Sequence, residues 1–160
     1  MKIQHLGKLK SDIDTYVRNT VAMADDRFEF VIVSGADDNS KPYMRNGEAL
    51  KNYKISMYRA LNPFKDLKAV CQAVRIIKKE KPDAVHCHSA KGGMIGRMAC
   101  LITGTKVFYT PHAFSFLSAE SKKKRAIFLA LERMARLNST MIACSESERE
   151  LGIREVGYKE

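Results

Sequence analysis

Short apolar segments alternate with amphipathic helical patterns along the chain, and this alternation restricts the possible folds more than any other feature. Residues 84–88 and 106–110 are typical of buried strands, and a helical pattern of apolar residues lies between them. Apolar strands that alternate with helices form a parallel sheet covered by helices on both faces. The sequence therefore predicts an open α/β fold of Rossmann type, a mostly parallel sheet with helices on both faces. The predicted strands are 2–5, 28–33, 53–57, 84–88, 106–110 and 140–144, and the predicted helices are 11–24, 62–81, 91–102, 122–137 and a last one after 145.

Helix-capping residues stand at three of the predicted helix starts. Ser11, Asn62 and Ser145 each have a side chain that can accept from the first-turn N–H groups, and Asn62 is followed by a proline. Gly104 is placed to end the helix that follows the fourth predicted strand. The polar stretch 37–50 is predicted to be a loop.

The length and composition fit one domain over residues 1–160. The chain has 45% hydrophobic and 29% charged residues, as soluble globular proteins do, and no apolar run approaches the length of a membrane span. Its beginning shows no apolar core of a signal peptide. The four cysteines lie in apolar runs without a C-x-x-C pair, so we expect buried free thiols in a cytoplasmic protein; they are Cys71, Cys87, Cys100 and Cys144.

The formal net charge of +10 indicates an anionic partner or a solvated basic face. Nucleic acid, a phosphorylated ligand and a lipid surface all fit the charge. Aromatic residues are few and no nucleic-acid-binding signature is present, so nucleic acid is disfavoured. The most basic run opens the predicted helix 122–137, whose residues Ile127, Leu131 and Met134 are expected to face the sheet; the run is Lys122, Lys123, Lys124 and Arg125.

All four histidines are predicted to lie at one edge of the sheet. His5 ends the first predicted strand, His86 and His88 end the fourth, and His112 follows the fifth. In the strand order 3-2-1-4-5 the first and fourth strands are neighbours, and open α/β sheets bind ligands outside the carboxyl ends of strands at that point. We therefore expect the functional site there. His88 is the better candidate for the cleft, and His86 is equally suited to be a hydrogen-bonded core residue.

A glycine-rich turn follows the fourth strand directly. Ser89 could cap the next helix, and Lys91 adds a positive charge beside a helix N-terminus, which attracts phosphate or carboxylate. Gly92 and Gly93 allow close approach of either a ligand or neighbouring backbone, and Gly96 suits helix packing. The G-G-x-x-G pattern is not the dinucleotide fingerprint.

Clustered histidines near a cysteine raise the question of a metal site. No carboxylate or second cysteine lies near the predicted strand ends, and no H-E-x-x-H or C-x-x-C motif is present. We expect no metal and no other cofactor. His88 and His112 could instead donate hydrogen bonds to sugar hydroxyls or phosphate oxygens.

Three stretches in order carry a resemblance to a known family. They are K-P-D-A-V-H-C-H-S-A-K-G-G-M-I-G-R-M-A (81–99), Y-T-P-H-A-F-S-F (109–116) and L-E-R-M-A-R-L-N-S-T-M-I-A-C-S-E-S-E-R (131–149). The chain resembles the N-terminal half of family-4 glycosyltransferases of the GT-B fold, of the kind found in bacterial capsular and exopolysaccharide synthesis. The resemblance covers about residues 54–151, and the rest more loosely.

The resemblance implies an enzyme with two Rossmann-like domains around a cleft. The N-terminal domain would hold a saccharide acceptor, typically lipid-linked at the inner face of the cell membrane, and the C-terminal domain would hold a nucleotide-sugar donor. Transfer would retain the anomeric configuration and need no metal. By motif match His112 would be catalytic, at the reacting end of the cleft. The acceptor or phosphate side would be lined by His5, Gly7, Lys8, His88, Ser89, Lys91, Gly92 and Gly93.

The sequence departs from the family pattern in three places. The first-strand loop, often Gly-Gly, has one glycine here, at Gly7, and could bind through Lys8. Ala113 stands where a glycine often follows the motif histidine. The chain ends at Glu160, so we expect it to lack the donor domain and to be inactive alone.

Three other functions fit part of the sequence. A single Rossmann-like module could bind a nucleotide or phosphorylated ligand without turnover. A basic nucleic-acid binder is supported by charge alone. A nucleotide-sugar epimerase of the GT-B fold would need acidic and histidine residues that cannot be assigned here.

Overall fold

A computed structural model describes residues 1–10, 12–58, 60 and 62–159. The strands are β1 Lys2–Gly7, β2 Glu29–Gly35, β3 Met44–Arg45, β4 Glu48–Ala49, β5 Asn52–Ile55, β6 Ala84–His88, β7 Lys106–Thr110 and β8 Thr140–Met141. The helices are α1 Asp12–Met23, α2 Pro63–Glu80, α3 Ser89–Thr103, α4 Lys122–Ala135 and α5 Glu146–Leu151. Two 3₁₀ turns, Ser115–Ser118 and Arg136–Asn138, and a π-helical turn, Gly152–Val156, complete them.

Six strands form one parallel sheet in the order β5-β2-β1-β6-β7-β8. Counted along the main sheet, this order is 3-2-1-4-5-6, so the predicted Rossmann-type arrangement is confirmed. β1 pairs with β6, and His5 lies directly opposite His86 while Gly7 lies opposite His88. The topological switch therefore falls between these two strands, where a cleft is expected.

Hydrophobic cores lie on both faces of the sheet. One face packs against α1, with Val17, Val21 and Ile32 in its core. The other packs against α2 and α3, with Val33, Val85 and Ile95 among its buried residues. This two-faced burial explains why the strands have nearly continuous apolar sequences.

The stretch 37–50 contains a small hairpin that the sequence prediction missed. β3 and β4 pair antiparallel around Asn46 and Gly47, whose φ angles are 49° and 82°. Asn-Gly is the strongest short-range sequence signal for such a turn. The prediction of a plain loop was therefore wrong, although the sequence itself contained the signal for a hairpin.

Of the predicted caps at Ser11, Asn62 and Ser145, two are present. The side chains of Asn62 and Ser145 accept from the N–H groups of Lys65 and Glu148. Ser11, the third, lies outside the described residues. Among the described residues no helix is both long and apolar enough to span a bilayer.

The orientation of α4 differs from the prediction. Ile127, Leu131 and Met134 are 50%, 53% and 71% exposed, whereas Glu132 is buried. Glu132 faces inward because it accepts a hydrogen bond at 3.0 Å from the buried guanidinium of Arg97 on α3. A buried ion pair therefore fixes the inner face of this helix, and its apolar stripe faces outward.

The cysteines also divide differently from the prediction. All four are free thiols; Cys87 and Cys100 are buried as expected, but Cys71 and Cys144 are exposed. Cys144 is exposed because β8 ends at Met141, three residues before it.

Candidate functional site

The four histidines gather on one face of the sheet at the β1–β6 switch. The ring centroids of His86 and His88 are 4.2 Å apart, and the ring of His5 lies 5.3 Å and 5.2 Å from them. His112, in the turn after β7, has its ring 5.4 Å from that of His88. The predicted common edge is therefore confirmed in the structure. His5 is two residues from the end of β1, because this strand continues to Gly7.

Burial differs sharply between these rings. His5 and His88 are 1% and 0% exposed, His86 is buried, and His112 is half-buried. His88 was expected to face the cleft, but His112 covers it. His112 is therefore the imidazole that a ligand could reach.

A chain of hydrogen-bond contacts joins three of the rings. His5 Nδ1 lies 2.9 Å from His88 Nε2, and His88 Nδ1 lies 3.1 Å from His112 Nε2. His112 Nδ1 in turn lies 3.5 Å from the Sγ of Cys144. His86 stands beside this chain and contacts the hydroxyl of Thr110 at 2.8 Å, as suits a hydrogen-bonded core histidine.

Burial keeps these imidazoles neutral at neutral pH. Desolvation lowers the pKa of His5 to about 3 and that of His86 to about 4, with a smaller contribution from neighbouring histidines. It also lowers the pKa of His88 well below the ordinary value. The pKa of His112 is lowered by burial too, against the opposing effect of Glu148 and Asp12. The cluster can thus donate and accept hydrogen bonds, but it carries no charge for an anion.

Tyr16 covers the cluster from α1 and was not found from the sequence. Its ring meets those of His86, His88 and His112 edge-on, with centroids 6.2, 5.7 and 5.2 Å apart. Burial raises the pKa of its hydroxyl. No sequence pattern marks it, because its contact depends on how α1 lies across the sheet.

The turn that carries His112 has an unusual backbone. His112 and Ala113 have φ angles of 51° and 77°, in a backbone region that residues other than glycine rarely adopt. Glu148 on α5 holds this turn: its carboxylate accepts from the backbone N–H of Ala113 at 2.8 Å and of Cys144 at 2.9 Å. The sequence signal for this role was the acidic first turn after Ser145.

The start of α3 differs from the prediction. The helix begins at Ser89 and not near Lys91. Ser89 is therefore the first residue of the helix, with a φ angle of 59°, and is not the capping residue. His88 occupies the cap position and its side chain makes no capping hydrogen bond. Within the described residues, the first N–H groups of α3 are therefore left without a capping side chain, next to the histidine cluster.

The two glycines assigned to a ligand serve packing instead. A Cβ on Gly92 would lie 2.8 Å from the Cα of Gly7, and one on Gly93 would overlap the edge of the Tyr109 ring. Gly96 packs on Cys87 in the same way, as predicted. The glycine pattern therefore lets α3 lie close to β1 and β7, and protein atoms occupy the space where a side chain of residue 92 or 93 would begin. Gly7 also meets a neighbour, since a Cβ there would lie 2.9 Å from His88 Cβ.

Both lysines predicted to bind phosphate are engaged in ion pairs. The Nζ of Lys91 lies 2.6 Å from the carboxylate of Asp66, and both side chains are nearly buried. The Nζ of Lys8 lies 2.8 Å from Asp37, which the lysine keeps ionised by lowering the pKa of its carboxyl group. Neither lysine presents a free charge in this structure, and the two aspartates were not found from the sequence.

The basic run at the start of α4 is exposed, and an apolar groove of about 610 Å³ lies between α3 and α4. Lys124 pairs with Glu120 and Arg125 with Glu155, both at the surface. The run comprises Lys122, Lys123, Lys124 and Arg125, and the groove is lined by Met94, Met98, Leu101, Phe128, Leu131 and Met134.

Among the described residues, His5, His86 and His88 are close enough to ligate one ion, with their nitrogen atoms within 4.8 Å. His5 Nδ1 already contacts His88 Nε2 and His86 Nε2 contacts Thr110, and among the described residues no carboxylate belongs to this group. That no metal binds here stays a prediction.

The parallel sheet and the polar cluster at its switch point define an open Rossmann-like domain whose candidate site lies at the edge where such folds bind ligands. A model of the glycosyl transferase 4-like domain matches residues 13–160. The chain therefore belongs to the glycosyl transferase 4-like family, as the motifs at 81–99 and 109–116 indicated.

Individual relatives agree with this family. The chain is 34% identical over 103 residues to an Escherichia coli UDP-Gal:alpha-D-GlcNAc-diphosphoundecaprenol alpha-1,3-galactosyltransferase, a match that covers 63% of the chain and 27% of that protein. It is 32% identical over 110 residues to a Staphylococcus aureus capsular polysaccharide biosynthesis glycosyltransferase, covering 64% of the chain and 29% of the relative. The match thus spans less than a third of the length of these curated relatives.

A solved structure shows the same fold. Sucrose-phosphate synthase from Thermosynechococcus elongatus superposes with a TM-score of 0.69 at 14% identity, covering 98% of the chain and 45% of that protein. At this identity the likeness concerns the fold alone.

Proposed function

We propose that this domain is the acceptor-binding half of a retaining glycosyltransferase. The complete enzyme would transfer a sugar from a nucleotide-sugar donor to a lipid-linked saccharide during surface polysaccharide synthesis. The observation that carries the proposal is the position of His112, the reachable imidazole of a buried cluster at the switch point of a family-4 domain. Relatives named as a diphosphoundecaprenol galactosyltransferase and a capsular glycosyltransferase support this substrate class.

The geometry fits the needs of glycosyl transfer on one wall of a cleft. A departing diphosphate is stabilised by fixed N–H donors, and α3 offers first-turn N–H groups without a side-chain cap beside His88. His112 offers a neutral imidazole N–H for a sugar hydroxyl or phosphate oxygen. Placing the acceptor hydroxyl against the anomeric carbon contributes through orientation. With Lys8 and Lys91 paired to aspartates, we assign anion binding to N–H groups and not to these lysines.

His112→Ala tests the catalytic role in a complete enzyme that carries this domain. Loss of transfer with an unchanged thermal unfolding midpoint is expected, and normal turnover would refute the assignment.

Titration of the 160-residue chain with UDP and GDP tests the division of labour between the two domains. Weak binding is expected, because the donor would belong to the other domain. Tight binding would favour the alternative, a nucleotide-binding module without turnover.

Peripheral association with the inner face of the cell membrane is part of the proposal. The exposed basic run at 122–125 and the outward apolar residues Leu131 and Met134 belong to the same helix, so α4 presents both charged and apolar groups to solvent. Each surface-adjacent Lys or Arg contributes about 1 kcal/mol at anionic lipid.

Vesicle co-sedimentation separates this surface from net charge. The triple variant Lys122→Glu, Lys123→Glu, Lys124→Glu should lose binding to vesicles rich in anionic lipid. A matched triple on α2, Lys68→Glu, Arg75→Glu, Lys78→Glu, changes the net charge equally at exposed positions and should retain more binding. Equal binding by the two variants would remove this surface from the proposal.

A further inference from the structure

Three imidazoles and a thiol form one continuous series of contacts from the core to the surface. The series runs from His5 to His88, from His88 to His112 and from His112 to Cys144, at 2.9, 3.1 and 3.5 Å. In each of the two middle rings one nitrogen faces the inner neighbour and the other faces the outer neighbour. The buried end is closed, because His5 Nε2 has no hydrogen-bond partner among the described residues.

Proton counting couples the tautomers of these rings. A neutral imidazole has one N–H and one bare nitrogen, so a ring in the series that donates outward must accept from inside. Only two arrangements make every contact a hydrogen bond. Either all three rings carry the proton on Nδ1 and donate outward, or all three carry it on Nε2 and donate inward.

The closed end at His5 distinguishes the two arrangements. The outward arrangement leaves a bare, buried Nε2 on His5, whereas the inward one leaves an unpaired N–H there. Buried N–H groups without a partner are rarer than under-used acceptors. At the other end the thiol of Cys144 can either accept or donate weakly, so it expresses little preference.

We propose that His5 and His88 are positioning residues that hold His112 in its Nδ1–H tautomer, so that the outward-facing nitrogen of His112 is a hydrogen-bond donor. His5 Nδ1–H donates to His88 Nε2, and His88 Nδ1–H donates to His112 Nε2. His112 then presents Nδ1–H toward Cys144 and the solvent. Use of this N–H on a sugar or phosphate oxygen rests on the proposed function; the tautomer itself does not.

Long-range ¹H–¹⁵N correlation spectra of the chain near neutral pH report each tautomer directly. We expect His5, His88 and His112 all to be mainly Nδ1–H, the form that free histidine disfavours. A His112 that is mainly Nε2–H in the unaltered chain would overturn the proposal.

Variants at His5 test action at a distance, since His5 does not touch His112. His5→Phe keeps a ring against Phe30 and removes the donor, so His112 should shift to mainly Nε2–H. His5→Asn places an amide N–H near the former Nδ1 and should restore Nδ1–H at His112. His86→Gln is the matched control, because its amide can keep the contact with Thr110 and this ring lies outside the series.

An unchanged His112 tautomer in folded His5→Phe would overturn the relay, as would an equal shift in His86→Gln. If His5→Phe does not fold, His88→Gln decides whether the inner histidines set the tautomer of His112. Its amide reaches the Nε2 position and keeps the contact with His5, but nothing fills the Nδ1 position that faces His112. These spectra need no substrate, so they can fail while the transferase proposal stands, and the His112→Ala transfer assay can fail while the tautomer is confirmed.

Discussion

Glu148 Oε1 accepts a hydrogen bond from the backbone N–H of Ala113 at 2.8 Å, across 35 residues of sequence. The other oxygen accepts from the backbone N–H of Cys144 at 2.9 Å, and Glu148 is 8% exposed. One carboxylate therefore ties α5 to the turn of His112 and to the residue that this histidine contacts. The clamp fixes the candidate catalytic imidazole relative to the sheet.

Glu148→Gln should loosen this turn. The amide has one acceptor oxygen, and its NH₂ group would face an N–H that now has no acceptor. Hydrogen bonds to charged groups contribute about 1.5–3 kcal/mol, so we expect a loss of about 2 kcal/mol in the free energy of unfolding by urea. Glu146→Gln, an exposed glutamate in the same helix, is the control and should change little. Equal losses in both variants would contradict the clamp.

Ala113→Gly should stabilise the protein. Ala113 has φ 77°, where a Cβ is strained and glycine is not, so the free energy of unfolding should rise by about 1 kcal/mol. Ala130→Gly provides the opposite control, because Ala130 is exposed within α4 and glycine there costs about 1 kcal/mol. A loss of stability in Ala113→Gly would show that this turn is not strained by its side chain.

The sheet order and the shared histidine edge were predictable because both follow from rules that act along the sequence. Buried parallel strands are recognised in a sequence as short apolar runs, and the carboxyl ends of parallel strands lie at the same edge of the sheet. His5 and His86 are therefore brought together by topology alone. The same reasoning gave the caps at Asn62 and Ser145, where one side chain acts on its own helix.

Partner choice between elements was not predictable in the same way. The spacing of Ile127, Leu131 and Met134 defines a stripe but not what covers it, and the buried contact of Glu132 with Arg97 turned that stripe outward. Lys8 and Lys91 were predicted to bind phosphate, and their ion pairs with Asp37 and Asp66 were missed because the partners are distant in sequence. Long-range ion pairs leave no local pattern.

Breaking the buried pair between α3 and α4 should be strongly destabilising. Arg97 is 4% exposed, pairs with Glu132 and stacks over Tyr109 with its guanidinium carbon 4.0 Å from the ring centroid. Glu132→Gln leaves that buried cation without a counter-charge, so we expect a loss of about 3–5 kcal/mol in the free energy of unfolding.

The exposed pair between Lys124 and Glu120 supplies the control. Glu120→Gln removes a surface ion pair and should cost less than about 1 kcal/mol. Similar losses in Glu132→Gln and Glu120→Gln, measured by urea unfolding, would mean that burial does not govern the contribution of the inner pair.

The histidine cluster should make stability fall as the solution is acidified below about pH 6.5. Burial lowers the pKa of His5 to about 3 and of His86 to about 4, and lowers that of His88 well below the usual range. The unfolded chain takes up protons at these residues near pH 6.5, while the folded protein does not until its lower pKa values are reached. Stability is thus complete above about pH 6.5 and is lost on the way down, by up to about 1.4 kcal/mol per pH unit for each buried histidine.

Urea unfolding between about pH 7.5 and about pH 5 measures this slope, a window that lies above the ordinary pKa of carboxyl groups such as Glu80. His5→Phe removes one of the buried groups that cannot be protonated in the folded state. Its slope should therefore be smaller by up to about 1.4 kcal/mol per pH unit than that of the unaltered chain, whatever its stability at neutral pH. A stability that does not change over this range, or an unaltered slope in His5→Phe, would show that the folded protein accommodates charged imidazoles at this site.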